Sequence, residues 1–364
     1  MNIDLKKIID VAVLTPMSYL YGAGVFIRNK MFDWKILKSV QFNVPVISVG
    51  NIAVGGTGKT PHTEYIISQL CDTYHIGMIS RGYKRQTSGY VQATPYTTPF
   101  DIGDEPYQIY QKFGKSIKVA VCEKRVEGIR KLLATDPSIN LILLDDAFQH
   151  RYVKPSLSIV LTEYNRPFFN DRLLPAGRLR ESAQGIKDRA DFIIVTKCPD
   201  DMKPVDFMLC KKQLDLYPYH KLFFSKFKYQ QLSPIFRDDY TYVPSLEMLT
   251  ERDTILAVTG IANPLPLIRF LKSYKATVKI MQFPDHHSFT RNDIDDIEKT
   301  FNSLEGHQKF LMTTEKDAVR IANNPYIPAA MKKHFFFQPI IVEFINKDAD
   351  FNAEIKHALL EKRQ

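Results

Sequence analysis

The chain has 364 residues, of which 45% are hydrophobic and 24% charged; this is ordinary globular composition, which excludes a largely disordered or low-complexity protein and leaves room for about two domains. Lys and Arg outnumber Asp and Glu by 49 to 40, and the resulting +9 suits a phosphorylated substrate, a nucleic acid or an anionic membrane surface equally well. The four cysteines, Cys71, Cys122, Cys198 and Cys210, form no C-x-x-C pair, which argues against a zinc site or a disulfide framework and fits a reducing, cytosolic compartment.

In chain order, the first notable stretch is "VAVLTPMSYLYGAGVFI", Val11 to Ile27, which carries no charge and is followed at once by Arg28 and Lys30. It lacks the small-residue cleavage site of a signal peptide. It also falls at the short edge of the roughly 17 to 25 residues that a spanning helix needs. Pro16, Thr15, Ser18 and two glycines favour a helix lying in the membrane interface over one that crosses; a helix packed on the protein's own core is the alternative. Residues 1–32 are accordingly expected to form a membrane-associating region.

Continuous apolar runs then recur at "VPVISVG", "HIGMIS", "IKVAVCE", "NLILLDD", "LSIVLTE" and "DFIIVTK". Runs that do not alternate read as strands buried on both faces, and the spacers are long enough for crossover helices, so a parallel α/β sheet is expected over 33–200. The pattern weakens across 201–250, read as a linker with a pair of strands. It returns at "TILAVTG", "TVKIMQF", "KFLMTT" and "FQPIIVEF", so 251–364 is expected to be a second, smaller α/β domain, with Thr290 as an N-cap of its helical text.

Within the first domain, "SVGNIAVGGTGKTP" places a glycine loop between a buried strand and a helix opening on Lys59 and Thr60. This is a phosphate loop with Ala53 where the pattern has its first glycine. Backbone N–H groups of Gly55, Gly56, Thr57, Gly58 and Lys59 are expected to cradle phosphates; Lys59 would reach the β and γ groups and the Thr60 hydroxyl would bind Mg²⁺. A second apolar strand ends in Asp145 and Asp146, and two adjacent carboxylates at such a strand end call for a cation such as Mg²⁺. Asp104 and Glu105 in "DIGDEP", Arg178, Arg180 and Glu181 in "LLPAGRLRE", and Asp285, His286 and His287 in "FPDHHSF" are further clusters, each ordinary by itself.

The motifs "SVGNIAVGGTGKTP", "SRGYKR", "GDEP", "DDAFQH", "LLPAGRLRE", "VTGIANP", "FPDHH" and "TTEKDAVR" occur in this order over nearly the whole chain, which closely resembles the tetraacyldisaccharide 4'-kinase family, the lipid A 4'-kinases of Gram-negative bacteria. The resemblance implies a P-loop NTPase-like lobe, a second smaller α/β lobe and a short β linker. It implies transfer of the γ-phosphoryl group of ATP to the 4'-hydroxyl of the lipid A disaccharide 1-phosphate, with ATP and Mg²⁺, at the cytoplasmic face of the inner membrane. No nucleic acid and no obligate protein partner is expected; an anionic membrane surface is.

Carried over by motif, the resemblance makes Asp104 the catalytic carboxylate, His286 its partner and Lys59 the phosphate lysine. Thr60, Asp145, Asp146 and Glu181 become the metal-side residues, and Arg81, Tyr83, Arg125, His150 and Arg180 face the acceptor. Two departures stand out: Ala147 replaces the usual glycine after the acidic pair and argues against a left-handed backbone there, and Arg178 stands where many relatives have proline. The rival readings are a P-loop GTPase or metallochaperone-like ATPase, for which "VTKCPD" is a near-match to the guanine motif, and a non-catalytic, membrane-bound nucleotide-binding adaptor.

Overall fold

The computed structural model describes residues 10–238, 243–345 and 350–361; the first nine residues of the expected membrane-associating region lie outside them. Six of the apolar runs become the parallel heart of a nine-stranded sheet. β1 (Val46–Asn51) lies between β5 (Leu141–Asp145) and β6 (Leu157–Glu163). β2 (Ile76–Ser80) and β4 (Lys118–Val121) extend the sheet beyond β5, with β3 (Val91–Gln92) antiparallel at that edge; β7 (Phe192–Thr196) and β8 (Lys221–Tyr229) extend it beyond β6. Every residue of β1, β2, β5 and β7 is buried, as strands covered on both faces by helices must be.

The smaller sheet has β10 (Thr254–Thr259) between β11 (Thr277–Gln282) and β12 (Lys309–Thr314), then β13 (Phe335–Gln338) and the short antiparallel β9 (Ser233–Pro234). Its helix Arg291–Asn302 is capped as its sequence predicts: the Thr290 side chain accepts from the Asp293 N–H, and the Asp293 side chain returns a bond to the Thr290 N–H.

The chain crosses between lobes twice, which the linear reading of 201–250 and 251–364 does not anticipate. The first half of β8 pairs with β7 inside the large sheet, while Ser225–Tyr229 pairs only with β14 (Ile340–Phe344), antiparallel. That dual service explains the mixed aromatic and charged text of the segment. The run "FQPIIVEF" is likewise divided at Pro339, β13 belonging to the small sheet and β14 to the large one. Between them the Gln230 N–H donates to the Pro339 carbonyl at 3.0 Å and Gln338 Nε2 to the Gln230 carbonyl at 2.6 Å, so a two-stranded ribbon joins the lobes. The last helix, Phe351–Glu361, returns Phe351, Ile355 and Leu359 to the core of the large lobe.

The helix Thr15–Asp33 carries Pro16 in its first turn, where the missing N–H costs nothing. It touches the large lobe through a narrow stripe: Ser18 Oγ donates to the Leu173 carbonyl at 2.7 Å, Gly22 sits so close to Leu173 that a Cβ would stand 2.7 Å from its Cδ1, and Phe32 is buried. Met17, Leu20 and Ile27 are exposed, Leu20 to 76%. Among the described residues, no helix is long and apolar enough to cross a membrane.

Candidate active site

The loop after β1 is held from several sides. Asn51, the last residue of β1, donates from Nδ2 to the Ala53 carbonyl (2.7 Å) and to Thr57 Oγ1 (2.8 Å), while its Oδ1 lies 3.3 Å from Lys59 Nζ. Ala53 bridges Leu179, and its methyl joins that residue in the apolar core, which is why alanine serves where the pattern has glycine. Thr196 Oγ1 donates to the Thr57 carbonyl (2.9 Å) and Lys197 Nζ to the Gly56 carbonyl (2.5 Å), fixing the loop's carbonyls toward the protein. One expected donor is turned inward: the Thr57 N–H bonds the Gly55 carbonyl at 3.1 Å.

Gly58 adopts φ +88°, and a Cβ there would stand 2.6 Å from the Phe227 ring, so only glycine suits the turn into the helix Lys59–Leu70. His62 of this helix is buried and bonded to Ser225 Oγ at 2.8 Å; burial takes its imidazole down to about 4, so it is neutral at physiological pH. The stretch expected as linker thus supports the phosphate loop through Ser225 and Phe227.

Asp145 ends β5 and Asp146 follows it directly. Burial, then the charge of Asp146, pushes the Asp145 carboxyl up to about 6, and Thr63 Oγ1 donates to it at 2.9 Å. Burial opposes ionisation of Asp146 too, but Lys59 at 3.6 Å and Arg180 at 3.2 Å outweigh it and lower its pKa. The left-handed residue here is Asp146 (φ +49°), one position before Ala147, so the lost glycine is not needed.

Glu181, which the resemblance counts among the metal-side residues, is held by several donors. It is buried, paired with Arg189, and accepts from Gln149 Nε2 at 3.0 Å and Asn29 Nδ2 at 3.3 Å. Gln149 links it to Arg180, so Glu181 anchors the network that holds Asp146. Among the described residues no group of three His, Cys, Asp or Glu side chains is placed to hold a metal ion. Arg178 is fixed without proline: its N–H and Nε donate to Asp171 at 3.1 and 2.8 Å.

Arg81 and Arg125 form a positive cluster beside His150. Burial, then the charge of Arg81, lowers the Arg125 pKa; burial, then Arg125, Arg28 and Arg81, takes His150 down to about 4. Arg125 Nε and His150 Nε2 are buried with no hydrogen-bond partner among the described residues. Buried polar atoms of this kind are costly unless a ligand meets them. Tyr83 is exposed, with its ring edge-on to His286 at 5.5 Å.

The two lobes meet at Asp104, the first residue of helix Asp104–Phe113. His286, held at φ +59° by its turn, places Nδ1 3.4 Å from Asp104 Oδ2. The sequence pairs these two residues but assigns nothing to Arg320, whose Nε and Nη2 also reach Asp104 Oδ2, at 2.9 and 2.6 Å. Burial would raise the Asp104 pKa, but the bonds from His286 and Arg320 prevail and take it to about 2. Neighbouring Glu105 adds its charge at Asp145, which ties this turn to the phosphate loop. Lys112 joins the lobes again, 2.6 Å from both Glu64 on the phosphate-loop helix and Glu315 on the small-lobe helix Glu315–Ala322. Arg320 and Glu315 both lie in "TTEKDAVR", so the motif was visible, but its partners lie some 200 residues away.

Comparison with known proteins identifies the family. The sequence model described as tetraacyldisaccharide-1-P 4'-kinase matches residues 11–360. The tetraacyldisaccharide 4'-kinase of Bacteroides thetaiotaomicron is 51% identical over 350 residues, covering 94% of this chain and 91% of the relative. That of Flavobacterium psychrophilum is 41% identical, covering 94% and 95%. A crystal structure of LpxK from Aquifex aeolicus in complex with ATP superposes with a TM-score of 0.72 at 27% identity, over 96% of this chain and 98% of that one. The chain belongs to the tetraacyldisaccharide-1-P 4'-kinase family.

Proposed function

We propose that this chain transfers the γ-phosphoryl group of ATP to the 4'-hydroxyl of tetraacyldisaccharide 1-phosphate in lipid A biosynthesis. The observation that carries the reading is the Asp104–His286 pair, assembled from both lobes on a turn whose Glu105 is felt at Asp145 beside the phosphate loop. The described contacts of Asp104 fall on Oδ2, so Oδ1 accepts the acceptor's hydroxyl. A carboxyl held at about 2 is a weak base. A weak base suffices because the phosphoryl transition state is loose and the hydroxyl proton is lost late, as the new P–O bond makes it acidic.

Lys59 and Arg180 neutralise charge at the phosphate end, and Arg125, His150, Arg81 and Tyr83 receive the acceptor. Asp145 and Asp146 fit a divalent cation: they are adjacent and mutually repelling, and Mg²⁺ is ordinarily held by one or two carboxylates together with substrate phosphates. Thr60, Asp145 and Asp146 would hold it, and when bound it supplies charge neutralisation at the β and γ oxygens. The exposed stripe Met17, Leu20 and Ile27, flanked by Arg28 and Lys30, docks the enzyme on an anionic inner-membrane surface from the cytoplasmic side.

The guanine-nucleotide and adaptor readings are not favoured. Asp200 of "VTKCPD" is exposed and paired with Lys226 at 2.8 Å, and Lys197 braces the phosphate loop. Incubation of purified protein with γ-labelled ATP and the lipid disaccharide phosphate tests the proposal: label must appear on the 4'-oxygen of the lipid, and labelled inorganic phosphate alone would overturn it.

A further inference from the structure

His286 is surrounded by charge on every side. From the helix Asp104–Phe113, Asp104 Oδ2 faces Nδ1 at 3.4 Å and Glu105 Oε1 lies 3.9 Å from Nε2. From its own turn, Asp285 stands 3.9 Å from Nε2, and the Tyr83 ring lies edge-on. From the helix Glu315–Ala322, Lys316 Nζ is 2.9 Å from Nε2 and Arg320 Nη2 is 3.2 Å from Nδ1. Lys316 is itself fixed, 2.9 Å from Glu105 Oε1.

A neutral imidazole has one donor and one acceptor nitrogen, whereas a lysine ammonium can only donate. At 2.9 Å Lys316 therefore needs the lone pair of Nε2, and the ring proton is left on Nδ1, where Asp104 accepts it. The carboxylates of Glu105 and Asp285, at 3.9 Å, are too distant to take a proton from Nε2 instead. Lys316 and Arg320 compete for the single lone pair of the neutral ring; Lys316 is the nearer, 2.9 Å from Nε2 against 3.2 Å from Nδ1, and Arg320 Nη2 keeps its 2.6 Å bond to Asp104. Both donors, Nδ1–H and the guanidinium, converge on the same Oδ2.

We propose that Lys316 is a positioning residue that fixes His286 in the Nδ1–H tautomer, so that the small lobe arrives with its imidazole proton already aimed at Asp104. The consequence for turnover rests on the kinase reading; the tautomer does not. Free imidazole side chains favour Nε2–H, and the hydrogen bond at the other nitrogen decides which form a protein holds. Without Lys316 the ring would present a lone pair to Asp104, two acceptors facing each other, and the carboxylate would lose its orientation.

The test uses the full chain labelled with ¹⁵N-histidine, with the His286 ring signals assigned by their loss in His286→Asn. The intact protein should show a protonated Nδ1 and an unprotonated Nε2. Lys316→Met should shift the ring toward Nε2–H and lower kcat about 10²-fold, the scale of a small misplacement at a reacting centre, with KM for ATP unchanged. Lys316→Arg keeps a donor and should keep the Nδ1–H pattern. An Nε2–H ring in the intact chain, or a pattern unmoved in Lys316→Met, overturns the proposal. Loss of the kinase reading would show instead as no lipid phosphorylation by the intact chain, with the ring pattern as expected.

Discussion

Arg320 of the small lobe sets both its Nε, at 2.9 Å, and its Nη2, at 2.6 Å, on a single oxygen of Asp104 in the large lobe. Its remaining nitrogen donates to Asp317 (2.9 Å) and the Gly260 carbonyl (3.3 Å), so the guanidinium is buried with four of its five N–H donors engaged by these groups. One side chain thereby joins the lobes and helps keep ionised the carboxylate to which the proposed function gives the acceptor's hydroxyl.

Arg320→Met should move the acidic limb of the pH–rate profile upward. With Arg320 present, Asp104 stays ionised down to about pH 2, below any working range. Without it, burial acts against one fewer opposing bond, the carboxyl rises, and kcat/KM should fall off from a higher pH. Profiles taken from about pH 5 to 8 check this; identical acidic limbs would show that Asp104 ionisation does not govern the rate.

Lys59→Ala should cost roughly 10³-fold or more in turnover, the scale of losing a charge clamp on a transferring phosphoryl group, with little change in melting temperature. Lys59 makes only a 3.3 Å contact with Asn51 and a 3.6 Å pair with Asp146, so the fold does not depend on it. Parallel activity and calorimetry decide; unfolding of the variant would mean that the lysine serves structure.

Glu64 predicts a pH dependence of stability. Burial raises its pKa, and despite Lys112 it is pushed up to about 7, with Glu315 adding to the rise. The folded chain then holds a proton that the unfolded chain loses near 4.5, so stability falls as pH rises from about 4.5 and the loss is complete above about 7. Melting temperature should be lower at about pH 7.5 than at about 5.5, and Glu64→Gln should flatten that slope. An equal slope in the variant would place the effect elsewhere.

Asp104→Ala and His286→Ala should each reduce kcat sharply, while the double variant falls little further, because residues acting as one unit fail together. Independent roles would show as multiplicative losses. His287, which bonds Asp293 at 2.9 Å and lies away from Asp104, is the control.

The outer stripe of the first helix can be tested without disturbing its inner one. Leu20→Asp combined with Ile27→Asp should lower binding to anionic vesicles by at least about tenfold, since each residue would bury apolar surface at the acyl boundary. Melting temperature should hold, because both side chains are exposed. Vesicle sedimentation at the intact level would assign membrane contact to another surface.

The sequence by itself determined what depends on neighbours in the chain. Continuous apolar runs marked the buried parallel strands, a glycine loop between strand and helix marked the phosphate site, and Thr290 marked a helix start, because burial on both faces, positive φ and capping are each set within a few residues. The tertiary structure decided what depends on distant pairing. "FQPIIVEF" could be read as one strand, yet its halves serve different sheets, because antiparallel pairing with β8 beyond Pro339 competes with parallel pairing in the small lobe. Glu181 could be placed near the metal side only through its "LRE" motif; that Arg189 and Gln149 come against it is decided by the fold, and a buried carboxylate goes to the donors within reach. Arg320 and Lys316 stood in plain view in "TTEKDAVR"; that they act on Asp104 and His286 follows from closure of two lobes around a ribbon, and no local pattern in the chain encodes that closure.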